Sequence, residues 1–141
     1  MCVELGMACL LINIDVPELE PAISYYTGAF GLKLGRRLGP DFAELLGAQA
    51  PIYLIVQPAG TLPFRGGSAA RSYARHWTPV HLDFAVQDIE AALARALVAG
   101  AKQESEISVH PYGKLVLTSD PFGHGACLLQ LNSAGYGAIE S

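Results

Sequence analysis

The sequence predicts an α+β fold made of two similar modules, each a strand, a helix and three further strands. Three observations predict it. Ile12-Asn13-Ile14-Asp15-Val16-Pro17-Glu18-Leu19-Glu20 is answered, seventy residues later and without a gap, by Leu82-Asp83-Phe84-Ala85-Val86-Gln87-Asp88-Ile89-Glu90. Each copy alternates apolar and polar residues and then opens an acidic stretch, and Ala22-Ile23-Ser24 against Ala92-Leu93-Ala94 carries the match onward. The elements that follow come in the same order in both halves. A repeat filling half the chain is far longer than a solenoid unit and implies two modules packed together.

Residues 9–16 read as a strand, with Leu11, Asn13 and Asp15 on one face and Leu10, Ile12, Ile14 and Val16 on the other. Pro17 ends it and suits the first turn of a helix. Leu19, Ile23, Tyr26 and Phe30 then recur at helical spacing up to Gly31. Residues 31–38 form a second strand entered through glycine. Residues 41–46 favour helix by local propensity, but the repeat demands a strand there, and pairing with neighbours overrides propensity. Residues 51–57 form the fourth strand. In the second module, 80–86 is a strand, Asp88 an N-cap, and Ile89–Ala99 an alanine-rich helix stopped by Gly100. Residues 101–108 and 113–118 are strands joined by a turn at 110–113. Residues 120–123 turn, and Gly125–Leu131 closes the module. The domain plan is therefore a first module over 1–60, an inter-module loop over 61–79, a second module over 80–132 and a tail over 133–141.

Composition narrows the classes of partner. A formal charge of −4 argues against nucleic acid, whose binders carry a basic footprint. No apolar run reaches the length of a membrane span. Met1–Leu11 lacks a basic leader and a cleavage site, so it does not read as a signal peptide. Cys2, Cys9 and Cys127 are odd in number and form no C-x-x-C pair, which points to a reducing cytoplasm rather than a disulfide framework.

The sequence resembles the vicinal oxygen chelate superfamily, which includes glyoxalase I, extradiol dioxygenases, and bleomycin- and fosfomycin-resistance proteins. The resemblance is carried by 16–20 (Val-Pro-Glu-Leu-Glu), 25–31 (Tyr-Tyr-Thr-Gly-Ala-Phe-Gly), 81–90 (starting His-Leu-Asp-Phe) and 120–124 (Asp-Pro-Phe-Gly-His), in that order over roughly residues 8–132. It implies two βαβββ modules whose sheets curl together around a cleft. It also implies a divalent metal held there by the first and last strands of each module. His81 falls at one such position. Its partner in the repeat is Leu11; the last-strand positions fall at Leu54 and at Cys127, where a glutamate is usual. With His81 as the one standard donor, the usual metal site is absent, and no metal or other cofactor is expected. His124 and His110 sit in turns and read as solvent-exposed, and no complete catalytic constellation stands out.

Alternation within strands then predicts what lines the cleft. Leu11, Asn13 and Asp15 face it with Ile52, Leu54 and Val56; His81, Asp83 and Ala85 face it with Cys127, Leu129 and Leu131. Asn13, Leu54, Trp77, His81, Asp83 and Cys127 are the candidate ligand-binding residues. His81 and Asp83, two apart on one strand face, are spaced for a carboxylate to hold an imidazole tautomer. The loop before them carries Arg65, Arg71, Arg75 and Trp77 and no acidic residue over 58–79, so it reads either as a solvated linker or as a lid for an anionic or aromatic ligand. Cys127, between Ala126 and Leu128, reads as a small core hydrophobe. The function expected is metal-free binding of a partly aromatic or anionic small molecule in an apolar cleft, by a homodimer. The alternatives are a metal-dependent lyase or dioxygenase of the glyoxalase type using His81, and an acid–base enzyme using His81 and Asp83.

Overall fold

In a computed structural model that describes Glu4 and residues 6–141, the elements follow the predicted order. They are β1 (Ile12–Val16), α1 (Leu19–Phe30), β2 (Lys33–Arg37), β3 (Phe42–Leu46), β4 (Ile52–Val56), β5 (Leu82–Ala85), α2 (Ile89–Ala99), β6 (Lys102–Gln103), β7 (Ser108–His110), β8 (Gly113–Ser119) and β9 (Gly125–Leu131). A 3-10 turn over Gly135–Ile139 follows in the tail. The segment 42–46 is a strand, as the repeat required. The one departure is that the strand expected over 101–108 is interrupted, its two pieces β6 and β7 pairing with opposite ends of β8. Cys9 is disulfide-bonded, contrary to the expectation drawn from the cysteine count, and Cys127 is a free thiol. No helix among the described residues is long and apolar enough to cross a membrane.

The chain divides into two compact units, and the division does not follow the repeat exactly. The first runs to Thr27 and resumes over Gly31–Arg71; the second takes Gly28–Phe30 together with Ser72–Ser141. The boundary therefore falls within the expected inter-module loop, giving each unit a part of it.

In the first unit the sheet order is β1-β4-β3-β2. β1 and β4 are parallel, with Asn13 opposite Tyr53 and Ile14 opposite Leu54. Directly paired residues point to the same face, so Leu54 lies with Ile14, Ala43 and Leu45, not with Asn13. Leu54, Ala43 and Val16 are fully buried on that face, whereas Asn13 is exposed. The expected grouping of Leu54 with Asn13 is thus corrected by the register. α1 ends as predicted at Gly31, whose φ of 67° is a left-handed cap disfavoured for residues with a Cβ.

In the second unit the order is β5-β9-β8-β6, with β7 beside β8. β5 and β9 are parallel, and Asp83 stands opposite Cys127. The back of this sheet is the core: Val116 and Leu128 pack with Ile89, Ala92 and Leu93 of α2, joined by Phe84, Val86, Ile107 and Phe30. Phe30 stacks on Phe84 with ring centroids 3.8 Å apart. The Asp88 side chain accepts a hydrogen bond from the Ala91 amide, and Gln130 accepts one from the Ile89 amide, so α2 starts with two of its free N–H groups satisfied. With Phe84 and Leu128 turned to the helix, Asp83 and Cys127 are turned to the other face.

The register makes a direct prediction. Leu54→Ala should destabilise the protein by about 2–5 kcal/mol, the usual cost of emptying a fully buried leucine site. Asn13→Ala should change stability much less. Urea unfolding of the two variants checks this, and equal effects would contradict the face assignment.

Candidate functional site

The front face of the second sheet carries the chemistry. β5 presents His81 at its entry and Asp83 two residues on, while the parallel neighbour β9 presents Cys127 directly beside Asp83. The His81 Nε2 and Asp83 Oδ1 atoms are 3.2 Å apart. One donor atom from each of His81, Asp83 and Cys127 lies within 4.8 Å of the other two. His81 and Asp83 are open to solvent, while Cys127 is 4% exposed at the floor. Leu117 is paired with Cys127 and Leu129 with Ala85, so the face around the donors is apolar.

Burial pushes the Cys127 thiol up to about 11, with the neighbouring Asp83 carboxylate as the next cause, since both disfavour a thiolate. The group is therefore a thiol at neutral pH and not a nucleophile. The Trp77 ring stands against His81, with ring centroids 4.6 Å apart and planes tilted by 45°. Trp77 itself is 49% exposed, which leaves ring surface available beside the imidazole.

The arginines of the loop are not free charges. Arg71 donates to the Asp15 carboxylate at 2.8 Å and to the Thr61 hydroxyl and the Leu62 carbonyl. Backbone bonds between Gly60 and Arg71 and between Arg71 and Thr61 close this part of the loop on itself. Arg75 makes a two-pronged pair with Glu104, at 2.6 and 2.7 Å, which holds that carboxyl below its usual range. Arg65 is exposed. The loop's positive charge is thus largely answered by carboxylates distant in sequence.

Two histidines expected in solvent are half-buried. The His110 ring stacks on Tyr112 and its Nε2 lies 2.8 Å from the Ser108 hydroxyl, while His124 meets the Tyr73 ring edge-on.

The corresponding face of the first unit is built differently. The repeat aligns Asn13 with Asp83, and because Asn13 pairs with Tyr53, the counterpart of Cys127 is Tyr53 and not Leu54. The Tyr53 hydroxyl donates to Glu44 at 2.9 Å, and Arg36 grips the same carboxylate at 3.0 and 2.8 Å. Arg36 first, then Tyr53, hold the Glu44 carboxyl down at about 2. Gly35 leaves room for this: a Cβ there would lie 2.8 Å from a Glu44 oxygen. Nothing in the sequence marked this network, because its members sit on three different strands.

A glyoxalase-like domain model matches residues 11–129. The chain belongs to this family. An uncharacterised protein of Mycobacterium bovis is 31% identical over 116 residues, covering 79% of this chain and 76% of that protein. Among solved structures, the fosfomycin resistance protein FosX of Listeria monocytogenes superposes with a TM-score of 0.66 at 16% identity, covering 90% of this chain and 95% of that one. TioX of Micromonospora sp. ML1 gives 0.67 at 17% identity, with 89% and 100% covered. A lactoylglutathione lyase of Agrobacterium tumefaciens gives 0.60 at 16% identity, with 87% and 92% covered. These likenesses place the chain in the vicinal oxygen chelate fold, which spans metal enzymes and binding proteins and does not choose between them.

The metal this fold implies can be tested against the residues. Ligands are needed from both modules, and in the first module Leu11 has no donor atom while Tyr53 is committed to Glu44. The usual four-residue set does not fit. What remains is one imidazole, one carboxylate and one thiol on a single sheet.

The raised Cys127 value fixes a pH dependence. A thiol with a higher pKa folded than unfolded contributes stability that is fully present below its ordinary value of 9.0 and is lost as pH rises toward about 11. The stability difference between the native protein and Cys127→Ser should therefore shrink across that interval. Iodoacetamide should label native Cys127 far more slowly at pH 7 than the unfolded chain.

Proposed function

We propose that this glyoxalase-like protein binds an uncharged, planar aromatic small molecule on the front face of the second sheet. The observation that carries this reading is the exposed Trp77 ring standing beside a polar cluster of His81, Asp83 and Cys127 on an otherwise apolar surface. An aromatic ring has Trp77 to stack on, and a hydroxyl or N–H group on that ring has the Asp83 carboxylate and His81 to orient it. Salt-bridged Arg71 and Arg75 favour an uncharged ligand over an anion, because their charge is already matched. No group in the cluster is an activated nucleophile, so the reading is binding without chemistry. The Asn13 face of the first unit is outside this proposal.

A panel of bicyclic aromatic alcohols, with 2-naphthol as reference, and of the matching carboxylates tests it by thermal shift and calorimetry. The alcohols should stabilise the native protein and the carboxylates should do so less. Trp77→Ala and Asp83→Ala should each abolish the shift. If no compound of either series binds, the reading is wrong.

The convergence of three donors supports a second reading, in which the cluster holds a borderline divalent ion such as zinc. From the sequence, His81 and Cys127 alone make a poor pair for a metal; Asp83 completes a set of nitrogen, oxygen and sulfur ligands that zinc accepts, with an open position for a ligand. Binding would have to displace the Cys127 proton and so would weaken as pH falls. Native mass spectrometry would report any bound ion together with the homodimer expected from the unpaired edges of the two sheets. Cobalt(II) added to the protein should give a thiolate charge-transfer band that Cys127→Ser removes. Absence of that band at one equivalent would eliminate this reading.

A further inference from the structure

Residues 73–77 cross the second unit as a strap, and its attachment is unusually specific. The Arg75 guanidinium lies over the start of β9: a Cβ on Gly125 would come within 2.5 Å of it. Its two-pronged pair with Glu104, just past β6, fixes it from a segment 29 residues on in sequence. It also donates to the neighbouring His76 carbonyl, and the His76 ring turns back to the Ala74 carbonyl. Further along, the Tyr73 carbonyl occupies the space that a Cβ on Gly123 would need. Gly123 has a φ of 92°, so two separate constraints exclude a side chain there. The β8–β9 turn that presents these glycines is itself fixed by Asp120, whose carboxylate accepts from the Phe122 and His124 amides at 2.8 Å. The strap ends at Trp77, with the Arg75 guanidinium carbon 5.8 Å from the centre of the indole.

We propose that this strap is not a lid but a fixed wall, in which Arg75, Glu104, Gly123 and Gly125 are positioning residues that hold the Trp77 ring beside His81 before any ligand arrives. The inference deepens the reading of the Trp77 face as a site for a planar aromatic molecule, and it assigns the specificity of that site to a clamp outside it. A ring that is already immobile loses no torsional freedom on stacking, so the clamp raises affinity for flat ligands. Arg75 then serves the site through its pair with Glu104 and its contact with the indole. It does not attract a charged ligand.

The chain's single tryptophan makes the test direct. Time-resolved fluorescence anisotropy on the native protein should show Trp77 moving with overall tumbling alone. Arg75→Leu and Glu104→Gln should each add a fast nanosecond component from local motion. Gly125→Ala keeps every clamp residue but puts a methyl group where the guanidinium lies; the flexible arginine end, not the strand, should yield. It should therefore reproduce the loosened indole with near-native thermal stability. In all three variants the dissociation constant for 2-naphthol should rise about three- to tenfold, as expected for newly having to immobilise one side chain. A native protein whose indole already moves freely would overturn the proposal, as would variants whose anisotropy matches the native decay. Failure of 2-naphthol to bind the native protein would remove the ligand reading and leave the anisotropy result to decide the clamp.

Discussion

Much of this protein depends on one constraint, the parallel pairing of the first and last strands of each module. A parallel ladder cannot be closed by a short turn, so the helix and the intervening strands must lie between its partners in sequence. Once the pairing is set, the register decides which side chains share a face, and a slip of one residue would exchange the faces completely. In the second module this places Asp83 beside Cys127 and sends Phe84 and Leu128 to the helix. In the first it places Asn13 beside Tyr53 and sends Leu54 into the interior.

The order of elements was readable from the sequence because the repeat supplied an internal control. Residues 42–46 show this best, since their own propensity argues for helix and only the comparison with the second module calls for a strand. Helix ends were equally plain, at Gly31 and Asp88, because capping chemistry is local. The facing of Leu54 was not, because Ile52-Tyr53-Leu54-Ile55-Val56 is apolar on both sides and alternation has nothing to grip. His81 and Asp83 could be grouped in advance by their spacing on one strand. The charge partners of the loop could not: Arg71 finds Asp15 across 56 residues, and Arg75 finds Glu104 across 29. Such pairs are products of folding and leave no periodic trace.

The two copies of the repeat have put the same surface to different uses. In the first, Tyr53, Glu44 and Arg36 satisfy one another, and a carboxylate that is 7% exposed is matched by a guanidinium and a phenol. Polar groups so fully engaged have little left to offer a ligand. In the second, Cys127 stands where Tyr53 does, and His81 and Asp83 beside it are open to solvent. The residue that Cys127 replaces is thus tied into a hydrogen-bonded network in the first copy, whereas the carboxylate and imidazole beside Cys127 are chemically available.

The stacking of Phe30 on Phe84 has a consequence for how this chain can be divided. The helix that begins in the first copy of the repeat delivers its last turn to the core of the second unit, so the unit of sequence similarity and the unit of folding are not the same. A fragment beginning after the loop would contain a complete second copy and still lack a wall of its own interior, with the face of Phe84 turned to water. Covering that face in such a fragment would take an aromatic ring supplied from outside it. The present fold carries its borrowed aromatic within a single polypeptide.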